Sequence, residues 1–225
     1  MLEHLKIKVC EAYKALNKNG YASEGFVSAI DRGDDLIVVP PAYEIADLTY
    51  EDMLVVDLVG NVIEGDGDVP SEVVAHAEIY SKFNKIESIA QTYFTYSTAF
   101  AQTGRDIPFY GAYHGARYYG DIPCILLADE DFMIEGDSDK NEFMREVGRT
   151  IAEQMQGFNF VEMPACLIES IGLVSFGTTP QEALRVAYTT EKVAKTAYVC
   201  EKLQPQIQPA RPELLDLVFD GKNPK

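Results

Sequence analysis

The sequence predicts one α/β domain in which a single sheet is packed between layers of helix. Short apolar strand patterns crowd the first part of the chain. Longer patterns of helical period flank them. No internal repeat or low-complexity linker divides residues 1–225, so they read as one domain.

Leu5, Val9, Ala12 and Leu16 recur at helical spacing, with Gly20 as a stop. Residues 25–40 read as two strands around Asp31-Arg32-Gly33-Asp34-Asp35. Residues 53–63 read as a hairpin turning at Gly60-Asn61. Pro70-Ser71 opens a helix to about Phe83, Ile86 to Thr92 is a strand, and a further helix ends at Gly104. Pro123 to Ala128 is a compact apolar strand pattern. Residues 139–156 set Phe143, Val147, Ile151 and Met155 on one helical face and charges on the other. Ala165 to Phe176 is a strand region. Thr179-Pro180-Gln181-Glu182 is a capping box with proline in the first turn, starting a helix to about Leu203. The tail from Gln204 to Lys225 holds Pro205, Pro209, Pro212 and Pro224 and is expected to pack on the domain or on a neighbouring subunit.

Hydrophobic residues make up 47% of the chain, enough for a sizeable core. No apolar run approaches the ~20 residues that span a bilayer. The charged N-terminus lacks the apolar stretch of a signal peptide, so a cytoplasmic location is expected. The formal net charge is −17, which argues against nucleic acid or anionic membrane as partners. Cys10, Cys124, Cys166 and Cys200 have neither CxxC nor zinc-finger spacing and read as reduced thiols. The only histidines are His4, His76 and His114.

One stretch is distinctive: Ile107-Pro108, then Gly111-Ala112-Tyr113-His114-Gly115, then Tyr119-Gly120-Asp121-Ile122-Pro123-Cys124. It resembles the middle of the class II aldolase/adducin family, nearest to its L-ribulose-5-phosphate 4-epimerases and L-fuculose-phosphate aldolases. Other segments agree in order: Ser23-Glu24-Gly25-Phe26-Val27-Ser28, Leu48 to Asp57, Pro70-Ser71-Glu72, Ala99 to Gly104 and Thr179 to Ala183. The resemblance implies a three-layer α/β/α sandwich around a mainly antiparallel sheet. It also implies a homo-oligomer, commonly a C4 tetramer with active sites between subunits, a small-molecule substrate, and a divalent metal, usually zinc, held by three histidines.

The family's histidine positions read Gln91, Tyr93 and Ile171 here. Zinc takes nitrogen, sulfur or carboxylate ligands, and these side chains do not supply them. The expectation is no metal and no other cofactor. A different metal site through His76, His114 and Glu169 is a lesser alternative. The family's phosphate-binding positions read Phe26, Pro41-Ala42 and Pro70-Ser71, leaving Ser28 and Ser71 as polar remnants. The epimerase's acid–base positions read Ala116 and Phe219, which transfer no protons.

Glu72 remains, at the position of the acid/base of the family's aldolases, with His76 one turn further on. One reading is a carboxylate poised for proton transfer, its pKa raised by an apolar pocket. The other is an acid favoured by a helix N-terminus beside a structural histidine. Tyr96, Tyr110, Tyr118 and Tyr119 are explained by aromatic packing or by a pocket lining. The candidate catalytic residues are Glu72, Tyr93 and His114. The candidate substrate-binding residues are Ser28, Ser71, His76, Gln91, Tyr113, Arg117 and Glu169. Two functions compete: a metal-independent lyase, decarboxylase, isomerase or aldol-type cyclase acting on a small carbonyl compound, and a non-catalytic adducin-like scaffold or ligand-binding protein.

Overall fold

A computed structural model describes residues 1–16, 25–42, 47–128 and 140–219. The predicted stop at Gly20 and the Ser23-Glu24 part of the early turn lie outside these residues. The strands are β1 (Gly25–Asp31), β2 (Leu36–Val39), β3 (Leu54–Val56), β4 (Val62–Glu64), β5 (Ser88–Thr92), β6 (Cys124–Ile125), β7 (Ala165–Ile168) and β8 (Gly172–Gly177). They form one sheet in the order β4-β3-β2-β1-β5-β8-β7-β6. Every pairing is antiparallel except β6 with β7.

The helices are α1 (Glu3–Leu16), α2 (Val73–Lys82), α3 (Thr95–Gln102), α4 (Ala112–Gly115), α5 (Lys140–Gln154), α6 (Pro180–Leu203) and α7 (Pro212–Val218). The period-two alternation of β1 sorts them onto two faces. Ala29 packs with Val9 and Cys10 of α1, together with Val38 and Val55. Phe26 and Ser28, on the opposite face, meet His76 of α2. On the α1 face, Ser175 of β8 donates to the Ala183 carbonyl of α6. α5 packs on α2. The expected three-layer α/β/α sandwich around a mainly antiparallel sheet is therefore present.

Local signals set many of the boundaries. The Asp57 carboxylate accepts from the amides of Val59, Gly60 and Asn61, closing the predicted hairpin. Thr179 accepts from the Glu182 amide, as in a capping box. The reciprocal bond is displaced by one residue: the Glu182 carboxylate accepts from the Thr178 amide and hydroxyl. The strand pattern of Pro123 to Ala128 shrinks to two paired residues. Its continuation leaves the sheet because the Leu127 amide donates to the Glu169 carboxylate, and Leu126 is half exposed. In the tail, the Ala210 amide donates to the Phe109 carbonyl, and Tyr119 donates to Asp216 at 2.5 Å.

Two contacts fix α2. Arg32 donates to the carbonyls of Tyr80, Phe83 and Ile86, holding the chain at the C-terminal end of α2. Gly148 of α5 lies against the α2 backbone: a Cβ there would stand 2.6 Å from the Ala75 carbonyl oxygen. Alanine normally stabilises a helix interior by ~1 kcal/mol over glycine. Here Gly148→Ala is expected to destabilise by about 1–3 kcal/mol, because two backbones must separate. Urea unfolding measures the sign.

Candidate active site

α2 begins beside the middle of the sheet. The His76 amide donates to the Glu72 carbonyl, which places the two residues one turn apart. Glu72 occupies the N-terminal cap position, and its carboxylate accepts from the Ser71 hydroxyl at 3.0 Å. Lys140, the first residue of α5, donates to the same carboxylate at 3.4 Å. Burial pushes the Glu72 carboxyl up. Its own backbone amide, Ser71 and Lys140 outweigh that and hold it below the usual carboxylate range. The raised pKa expected from the sequence is thus corrected: Glu72 is ionised at neutral pH, which suits a base.

β5 brings two further groups to α2. Gln91 and Tyr93 are two residues apart, and the Gln91 amide donates to the Tyr93 hydroxyl at 3.1 Å. Burial, together with the adjacent Glu72 carboxylate, pushes the Tyr93 phenol up to about 12. It therefore keeps its proton and can donate it. Gly172 of β8 permits this placement, since a Cβ there would lie 2.8 Å from the Thr92 carbonyl oxygen and 3.0 Å from the Tyr93 ring.

Behind this surface lies a fully buried layer. Ser28, His76 and Gln91 have no exposed surface. His76 Nδ1 lies 2.7 Å from the Ser28 hydroxyl, which is also 2.8 Å from the Tyr80 hydroxyl. Phe26 stacks on the His76 ring at 4.8 Å. Burial pushes His76 down to about 4, so the ring is neutral at physiological pH.

The structure thus gathers Ser28, Ser71, Glu72, His76, Gln91 and Tyr93. Sequence reading missed Lys140, Tyr80 and the stacking role of Phe26. No spacing rule could have found Lys140, because its contact spans 68 residues. The other candidates make their contacts elsewhere. His114 Nε2 pairs with the Gly120 carbonyl at 2.8 Å, and its ring packs edge-on against Phe109 and Tyr118. Arg117 lies over the exposed Tyr113 ring at 4.0 Å and donates to the Tyr113 carbonyl. Glu169 is taken up by the Leu127 amide. Phe219 packs on Tyr119.

The sequence model described as Class II Aldolase and Adducin N-terminal domain matches residues 7–198. The chain belongs to this family. Solved structures with the same fold include an L-fuculose 1-phosphate aldolase, at 19% identity and TM-score 0.78, covering 96% of this chain and 94% of that one. A second L-fuculose 1-phosphate aldolase, from Glaciozyma antarctica PI12, matches at 20% identity and TM-score 0.74, covering 96% and 80%. YgbL from Klebsiella pneumoniae matches at 22% identity and TM-score 0.71, covering 97% and 99%. At these identities the likeness establishes the fold.

The family's metal does not fit this donor set. Gln91 and Tyr93 are hydrogen-bonded to each other, the phenol is protonated, and Ile171 offers no lone pair. Zinc needs anionic or imidazole donors at about 2.0–2.3 Å. Among the described residues no group of three His, Cys, Asp or Glu could hold a metal ion. His76, His114 and Glu169 therefore do not form the alternative metal site. The cysteines are free thiols; burial pushes Cys124 up to about 12 and Cys166 higher, which leaves neither as a thiolate nucleophile.

His76 and His114 both have folded pKa values near 4, below the ordinary 6.5. The unfolded chain then binds more protons between these values, so stability is complete above pH 6.5 and falls as the pH drops towards 4. Each contributes at most about 3 kcal/mol to this loss. Urea titrations at pH 7 and pH 4.5 are expected to show it, with a smaller pH dependence in His76→Phe.

Proposed function

We propose that the chain is an enzyme that transfers protons on a small carbonyl compound, with Glu72 as the base and no histidine-bound metal. One observation carries this reading: an ionised carboxylate, a protonated phenol and an ammonium group converge at the start of α2. Glu72 removes a proton next to the substrate carbonyl, or from a neighbouring hydroxyl. Negative charge then develops on the carbonyl oxygen. Lys140 donates a hydrogen bond to it; as Glu72 takes up the substrate proton it ceases to accept from Tyr93, and the phenol proton turns to the same oxygen, the electrostatic role that oxyanion donors play generally. Gln91 donates to the Tyr93 oxygen and makes the phenol a better donor. Carbon–carbon cleavage, decarboxylation, isomerisation and aldol-type cyclisation all pass through such an enolate. Sugar-phosphate epimerisation is outside the proposal: Ser28 is sealed behind His76 and Tyr80, and Ser71 is bonded to Glu72.

The resemblance to the family supports a homo-oligomeric assembly, a C4 tetramer. Tyr113 and Arg117, which are outward-facing on and just after α4, are proposed to contact substrate through that assembly. The scaffold reading draws on the same ion pair: Lys140 and Ser71 already partner Glu72. A screen of small keto and hydroxy-keto acids separates the two. The enzyme reading expects binding and turnover, whereas a protein that binds none of them is a scaffold.

With a turned-over substrate, Glu72→Gln is expected to lower kcat by at least about 10²-fold, the usual contribution of a positioned base. Lys140→Met is expected to lower kcat/KM by about 10–10²-fold through loss of oxyanion stabilisation. Wild-type kcat in the Glu72→Gln protein would remove Glu72 from the mechanism.

A further inference from the structure

Two polar atoms behind the site remain unexplained. His76 Nε2 and Gln91 Oε1 are buried, and neither has a hydrogen-bond partner within bonding geometry among the described residues. A buried polar atom left unpaired is destabilising, so each of the two calls for a partner. They belong to adjoining side chains, and the Gln91 side chain lies close enough to the ring to favour its protonated form. They are complementary, one a donor and the other an acceptor, if the imidazole proton sits on Nε2.

The surroundings select that tautomer. Ser28 has one hydroxyl proton, placed between His76 Nδ1 and the Tyr80 oxygen. If Tyr80 donates to Ser28, and Ser28 donates to Nδ1, every proton in the chain has an acceptor. In the opposite direction, Nδ1 donates to Ser28 and Ser28 donates to Tyr80. The Tyr80 proton then has no side-chain acceptor among the described residues. The first direction leaves the ring proton on Nε2, aimed at the Gln91 oxygen. Stacking on Phe26 and edge contact with Tyr80 fix the plane of the ring.

The consequence reaches Glu72. With its oxygen held by His76, Gln91 presents its NH2 group to Tyr93, as the 3.1 Å bond shows. The Tyr93 oxygen is then an acceptor on one side, and its own proton is directed at the adjacent carboxylate. We propose that His76, as the neutral Nε2–H tautomer, is the positioning residue of the site: it fixes the orientation of the Gln91 amide, which in turn aims the Tyr93 proton at Glu72. This rests on the reading of Glu72 and Tyr93 as the working groups, but its test needs no substrate. Burial keeps the ring neutral down to about pH 4, so the polarity holds throughout the physiological range.

The test is long-range proton–nitrogen correlation NMR of the full-length 15N-labelled protein at neutral pH. It should show a protonated, pyrrole-type Nε2 and an unprotonated, pyridine-type Nδ1 for His76. A protonated Nδ1 overturns the proposal. A second measurement follows the Glu72 carboxyl carbon through its titration. His76→Phe keeps the packing and frees Gln91, so the Glu72 pKa should rise by about one pH unit as the Tyr93 donation is lost. His76→Gln restores a donor near the Nε2 position and should return it. An unchanged Glu72 titration in folded His76→Phe also overturns the proposal. If His76→Phe does not fold, the tautomer in the wild-type protein decides alone. A catalytically silent protein with this tautomer and this shift would sink the proposed function and leave the positioning role standing.

Discussion

The antiparallel register that sets β5 between β1 and β8 fixes the distances within the site. Phe26 stands opposite Gln91, Ser28 opposite Ile89, and Thr92 opposite Leu173. Side chains alternate across a strand, so a slip of one residue would send Gln91 and Tyr93 to the α1 and α6 face. The register is held by the apolar residues between them: Val27, Ile89, Ala90 and Val174 are fully buried. The site is thus built from the polar positions of strands whose other positions make the core.

That arrangement has an energetic cost. Ser28, His76 and Gln91 are removed from water on a sheet face otherwise lined by Phe26, Ile30, Ile37 and Leu54. Buried polar chains are favourable only when every member is paired, and a partly satisfied chain is worse than an apolar core. Ser28, Tyr80 and the Nδ1 side of His76 are paired directly, and Gln91 is paired on its nitrogen. The same low-polarity surroundings keep His76 neutral and Tyr93 protonated. They also strengthen the fields that Lys140 and Glu72 exert at the surface of the site. In a chain of net charge −17, Lys140 supplies a local positive group where an oxyanion would form.

Membership of the family does not depend on its metal donors, because fold and donors reside in different atoms. The sandwich needs apolar contacts, strand register and close approaches such as Gly148 on Ala75. None of these requires an imidazole at positions 91, 93 or 171. Phe26 serves packing beside the site: its phenyl ring stacks on His76.

The sequence by itself determined most strands and the long helices, both hairpin turns, the start and length of α6 and the lack of imidazole at residues 91, 93 and 171. These are properties of short windows: periodicity, turn chemistry, capping and the donor inventory of single side chains. Only the tertiary structure decided that β6 stops after Cys124–Ile125, because the competing acceptor, Glu169, lies 42 residues away. It decided the direction of the Glu72 pKa: burial raises it, and its own backbone amide, Ser71 and Lys140 from another helix together outweigh that. It also separated His114 from Glu72 and joined His76 to Ser28. Ionisation and hydrogen bonding depend on distances through space, and those follow from packing between segments far apart along the chain.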